Sequence, residues 1–209
     1  DVENGVITFP SDDNNYKIIR SIGERRLRLI ENNLIVSSSI TFFKNTKANL
    51  LDNNFYSIRT KIESAGNLLS LFANTKNEPL SANGNKTMFG IEYSQYIKGE
   101  VDFIKHWDFG KKNTLAMRAF AGLAVPYGNG QSIPFSRSYF SGGSNDNRGW
   151  QAYSLGPGRS GGINDFNEAN LKLAYSLEYR FRVGGNFYSA FFTDIGNIWN
   201  IFDNVTNKE

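Results

Sequence analysis

The sequence predicts an all-β protein, specifically a transmembrane antiparallel β-barrel of which this chain supplies about six strands. Three observations lead there. Long runs alternate apolar and polar residues, the connections divide into tight turns and long polar loops, and no apolar run is long enough for a membrane helix.

The clearest run is Leu171 to Val183, LKLAYSLEYRFRV. Leu171, Leu173, Tyr175, Leu177, Tyr179, Phe181 and Val183 share one face, and Lys172, Ala174, Ser176, Glu178, Arg180 and Arg182 share the other. A period of two over thirteen residues has no helical counterpart. At about 3.3 Å per residue the run reaches about 43 Å, enough to span a bilayer core when tilted by about 40°.

Upstream, Thr114 to Val125 places Leu115, Met117, Ala119, Ala121, Leu123 and Val125 on one face, with Arg118 and Phe120 among small residues opposite. Phe89 to Phe109 reads as one strand, with Ile91, Tyr93, Ile97, Val101, Phe103 and Trp107 facing Glu92, Lys98, Glu100, Asp102, His106 and Asp108. Gln95 and Lys105 interrupt its apolar face, so its ends are expected to leave the lipid. Leu34 to Lys44 and Phe55 to Phe72 are weaker strands. Tyr188 to Trp199 is apolar on both faces, and its assignment leans on its neighbours.

Gly110 to Asn113 and Gly184-Gly185 are tight turns, whereas Ala73 to Thr87 and Pro126 to Asn170 are long and rich in Gly and Asn. Outer-membrane barrels have short periplasmic turns and long extracellular loops. A soluble sandwich or barrel also alternates one apolar and one polar face. Strand length favours the membrane, because ordinary strands run about 3–10 residues.

Composition removes other classes. Of 209 residues, 21% are charged and 14% aromatic, which is not a disordered composition. A net charge of +3, without a basic cluster interleaved with aromatics, gives no case for nucleic acid. The chain has no Cys and one His, His106, so thiolate chemistry and histidine metal sites are not expected. A mean hydropathy of -0.42 is compatible with a barrel, whose polar residues face its lumen.

The long loop contains SYFSGGSNDNRGWQAYSLGPGRSGG, Ser138 to Gly162, with Arg148 beside Gly149 and Trp150. YFSGGSNDNRGW followed by LGPG resembles the sixth extracellular loop signature of the BamA/TamA superfamily of outer-membrane assembly factors. SLEYRF, which holds Tyr179 and Phe181, and FFTDIGNIW, which holds Gly196, resemble the two strand motifs that follow that loop. Their order and spacing fit. AGNLLSLF, YIKGEVDFIKHW and GLAVPYGN look more like the TamA-like, surface-antigen branch of Bacteroidetes. The resemblance covers about Leu34 to Trp199. It departs at Asn147, where the family often has a small aliphatic residue.

The resemblance implies strands eight to thirteen of a sixteen-stranded barrel. Six strands cannot close, since the smallest bacterial barrels have eight, so the chain is expected to be a fragment without POTRA domains or closing strands. The layout is one barrel domain: 1–33 a polar segment, 34–125 four strands, 126–170 an extracellular loop, 171–199 two strands and 200–209 a loop.

In the family the loop tip folds into the barrel and its Arg meets acidic groups on the inner wall. Glu178 lies on the polar face of its strand and Asp194 follows on the next. A charge at mid-membrane costs about 2–4 kcal/mol for Arg or Lys and less for Asp or Glu, so both are expected to face the lumen. A planar guanidinium suits two carboxylates better than Lys does. Gly142, Gly143 and Gly149 are expected to let the loop turn and approach the wall, with Trp150 packed beside the Arg. The alternative is a solvated Arg148, with Glu178 paired to Arg180 or Arg182.

The resemblance implies a membrane machine without catalytic, metal or cofactor sites. It would insert or export β-barrel or surface proteins, with lipid, unfolded clients and periplasmic or lipoprotein subunits as partners. A two-partner secretion pore and the barrel anchor of a patatin-like lipase are the alternatives; the lipase needs a Gly-x-Ser-x-Gly elbow, which the chain lacks. Trp107, Trp199, Tyr96 and Tyr56 are candidates for interfacial girdles or core aromatics.

Overall fold

The computed structural model describes residues 31–76, 80–81, 84–159 and 167–202, with a few positions before 31. Six long strands form one antiparallel meander in which every strand pairs with its neighbours in sequence. They are β1 (Ser37–Asn45), β2 (Tyr56–Ala65), β3 (Tyr96–Asp108), β4 (Thr114–Pro126), β5 (Leu171–Gly184) and β6 (Phe187–Trp199). This is the predicted fold class, as an open sheet. Among the described residues no helix is long and apolar enough to cross a membrane.

The register fixes two faces. Asp102 pairs with Arg59 and Phe120, Ser176 with Arg118 and Asp194, and Glu178 with Phe192, so these residues share one face. The other face carries Ile40, Ile62, Val101, Leu173, Phe191 and Ile195, all exposed. Contiguous apolar side chains of this size are a liability in water and the normal outer surface of a barrel in lipid. On it Phe181 stacks on Tyr179 at 5.7 Å and on Phe191 at 5.4 Å, an aromatic cluster near the tight-turn end. We call this the bare face and the other the covered face.

The connections 46–55, 109–113 and 185–186 lie at one end. The described residues of the segments 66–95 and 127–170 lie at the other. Three predicted strands are shorter than expected. The first, Leu34 to Lys44, begins only at Ser37, while Leu34 lies in a separate short strand. Phe55 to Phe72 ends at Ala65, because Gly66 turns at φ +79° against Ser94 and Gln95, where a side chain has no room. The residues beyond form helix α1 (Asn67–Lys76). Phe89 to Phe109 also divides. Ile91–Tyr93 joins a small sheet with Asn33–Leu34 and Thr87–Met88, and β3 begins at Tyr96. Gln95 between them is tied to the loop, its side-chain carbonyl accepting the Asn129 N–H at 2.8 Å.

The core is small and lies beside the long connections. One cluster joins Tyr96, Ala124, Ile133, Tyr139, Ala169 and Ile198, between the covered face and the loop. A second packs Leu69 and Ala73 of α1 on Met88 and Tyr93. Tyr96 is therefore a core residue rather than a girdle residue; it is fully buried and donates to Glu63 at 2.7 Å. The expected polar segment 1–33 falls largely outside the described residues.

Candidate functional site

The loop leaving β4 turns at Tyr127 to Gly130, where the Gly130 N–H reaches Tyr127 O at 2.9 Å. After a short 3-10 turn, Phe135–Arg137, Tyr139 and Ala169 exchange backbone hydrogen bonds at 2.8 Å and close the neck of the loop. The Tyr139 ring lies over Gly122 of β4, where a Cβ would stand 2.5 Å from the tyrosine oxygen. Lys98 Nζ sits 4.1 Å from that ring, and the hydroxyl lies 3.2 Å from Glu100. Burial first, and then the Glu100 carboxylate, push the Tyr139 pKa up, so its hydroxyl stays neutral.

Beyond the neck the chain folds over the covered face as a compact hairpin. Gly142 and Gly143 adopt φ of +100° and +107°, a region that favours glycine. The Gly143 N–H reaches Trp150 O at 2.8 Å. Asp146 accepts the Gly142 N–H at 2.9 Å and the Ser141 hydroxyl at 3.1 Å. Gly149 differs from the expectation: it has no left-handed φ, and a Cβ there would meet nothing within 4 Å.

Arg148 leaves this hairpin toward β5 and β6. Its Nε donates to Asp194 Oδ2 at 2.7 Å and one Nη to Asp194 Oδ1 at 2.8 Å, a bidentate pair. The other Nη donates to Glu178 Oε2 at 2.5 Å, and the backbone N–H reaches Asp194 Oδ2 at 3.1 Å. The Asp194 side chain is only 5% exposed. Hydrogen bonds to Asp194, and then to Glu178, hold the Arg148 pKa above its ordinary value despite partial desolvation. Glu178 also accepts from Arg180 at 2.6 Å, so the alternative pairing coexists with the Arg148 contact.

The guanidinium lies over the Phe192 ring, 3.8 Å from its centroid. Trp150, expected in that place, is 49% exposed. Gly196 makes the close approach possible, since a Cβ there would stand 2.8 Å from both Asn147 Nδ2 and Leu173 O.

Flanking contacts were not read from the sequence. Lys172 pairs with Asp146 at 2.9 Å. Arg118 binds Asp102 through two nitrogens, at 2.9 and 3.0 Å, and donates a third N–H to Asn145 O at 3.0 Å. The LGPG segment is anchored to β6: the Gly158 N–H reaches Ile198 O at 2.8 Å, and Asn197 Nδ2 donates to Gly158 O at 2.6 Å. A cleft of about 240 Å³ remains beside the tip, lined by His106, Arg118, Asn145, Arg148, Glu178 and Arg180. Among the described residues no group of three or more His, Cys, Asp or Glu is placed to hold a metal ion.

A long two-faced meander, bare on its apolar side and crossed by one arginine-anchored loop on its ionic side, defines a membrane β-barrel wall of the outer-membrane type. Residues 36–209 match the Omp85 superfamily domain, and the chain belongs to that superfamily. Among solved structures, the chain is similar to the crystal structure of BamA from Haemophilus ducreyi lacking POTRA domains 1-3. The match has 14% sequence identity and a TM-score of 0.43 and covers 79% of this chain and 42% of that one. The chain thus spans less than half the length of that structure. A search of curated proteins finds no match.

Proposed function

We propose that this chain is part of the barrel of an outer-membrane factor that inserts or exports β-barrel or surface proteins. Its covered face lines the lumen and its bare face meets lipid. The loop 127–170 is an extracellular loop docked inside the barrel, locked by Arg148 between Glu178 and Asp194. The observation that carries this reading is the convergence of both carboxylates on one guanidinium. Membership of the Omp85 superfamily supports the assembly or translocation role.

The six strands are read as strands eight to thirteen of a sixteen-stranded barrel of the TamA-like branch, and residues 1–209 as part of one barrel domain. The wall performs no covalent chemistry. Its clients are unfolded outer-membrane or surface polypeptides, and further assembly subunits are its expected neighbours. The lock would fix the height of the loop within the lumen, and so the space left for a client.

The test is Arg148→Ala in the full-length protein, reconstituted in vesicles and supplied with an unfolded β-barrel client. Client insertion is expected to fall severalfold while the barrel itself remains folded. Wild-type insertion by the variant would remove the proposed role of the lock.

A further inference from the structure

Helix α1 has more apolar surface than the small sheet beneath it covers. Leu69 and Ala73 pack on Met88 and Tyr93. Leu68, Leu71 and Phe72 are 57%, 65% and 58% exposed. At about 100° per residue these three side chains form a stripe beside the buried pair, so the apolar arc extends well past the packed contact.

The helix is attached at the rim of the bare face. Asn67 Nδ2 donates to Ser64 Oγ at 2.9 Å, and Tyr127 Oη donates to Asn67 Oδ1 at 2.7 Å. Ser64 pairs with Ile97 in the register and lies two residues from Ile62, and both isoleucines are exposed on the bare face. Asn67, the first residue of the helix, is thus held to a residue of the bare face, and the helix starts at the rim of its apolar band.

We propose that α1 lies in the membrane interface at the long-connection end, with Leu68, Leu71 and Phe72 among lipid headgroups and upper acyl chains. Lipid is the occupant because the helix, with its exposed apolar stripe, starts at the rim of the lipid-facing band. Three side chains also fall well short of the roughly 800 Å² per partner of a stable protein complex. The helix then acts as a stop that sets how deep this end of the wall sits. The inference rests on the bare face meeting lipid and is independent of the Arg148 lock.

The chain has no Cys, so in full-length protein whose other cysteines, wherever present, are replaced by Ser, a single introduced cysteine reports alone. Full-length protein carrying Leu68→Cys or Phe72→Cys is spin-labelled in phosphatidylcholine vesicles, and collisions with lipid-soluble oxygen are compared with those of a water-soluble nickel chelate. Leu173→Cys on the bare face is the lipid reference and Asn49→Cys in the 46–55 turn is the water reference. Both helix labels are expected to give oxygen-to-nickel ratios severalfold above that of Asn49→Cys and near that of Leu173→Cys. Water-like ratios at 68 and 72 with a lipid-like Leu173→Cys overturn the proposal alone. A water-like Leu173→Cys overturns the membrane reading with it. Labels shielded from both reagents point to a protein partner and also overturn it. Both helix positions are exposed, so the substitutions leave the packed core in place.

Discussion

Asp194 accepts three N–H groups from Arg148: Nε at 2.7 Å, one Nη at 2.8 Å and the backbone N–H at 3.1 Å. One carboxylate on β6 thereby fixes both the side chain and the main chain of the loop tip. Removing Arg148 leaves a nearly buried carboxylate without its main partner, at a cost of about 2–3 kcal/mol to the docked loop. Arg148→Lys cannot reproduce the bidentate geometry and should behave more like Ala than like wild type. Protease cleavage rates within 140–153, measured on full-length protein in vesicles, check both. A double-mutant cycle with Asp194→Asn should give a coupling of about 1–3 kcal/mol.

The glycines separate by what surrounds them. Gly196→Ala forces a Cβ against Leu173 O, a backbone atom, and against Asn147, so the tip should loosen by about 1–3 kcal/mol. Asn147→Ala should relieve only part of this, because the Leu173 carbonyl remains. Gly149→Ala meets nothing and should be neutral. Cleavage rates of the three variants in parallel provide the comparison.

The two faces make opposite predictions for adjacent residues. Ile40 on the bare face and Thr41 on the covered face both lie mid-strand in β1. Ile40→Arg should destabilise the folded barrel in vesicles by about 2–4 kcal/mol, and Thr41→Arg by well under half of that. Urea titration of reconstituted protein distinguishes them, and equal costs would contradict the assignment of faces.

Asp146 holds the hairpin from within and the wall through Lys172. Asp146→Ala removes three acceptor contacts at a site more open than Asp194. Its effect on loop protection should be about 1–2 kcal/mol, below that of Arg148→Ala.

The strands were legible where one face is apolar and the other ionic. Thr114 to Val125, Leu171 to Val183 and Tyr188 to Trp199 each match an observed strand to within one residue at either end. Period two also placed Glu178 and Arg118 on a common face, because parity survives any even register. It could not say which neighbours meet across strands. Phe192 took the place expected for Trp150 because ring contacts depend on the path of the loop, which alternation does not encode. The helix within AGNLLSLF was missed because a short apolar run suits either period, and only the turn at Gly66 decides. The glycine opposite Tyr139 left a trace: Gly122 interrupts an otherwise regular strand, which commonly marks a close approach.

Hydrogen exchange of the peptide covering 142–151, in full-length protein in vesicles, tests the docked loop most directly. The Arg148 and Gly143 N–H groups are bonded to Asp194 and Trp150. Slow exchange in the wild type and acceleration of more than about tenfold in Arg148→Ala, the equivalent of over about 1.4 kcal/mol, are predicted. Fast exchange in the wild type, or identical rates in both proteins, would contradict it.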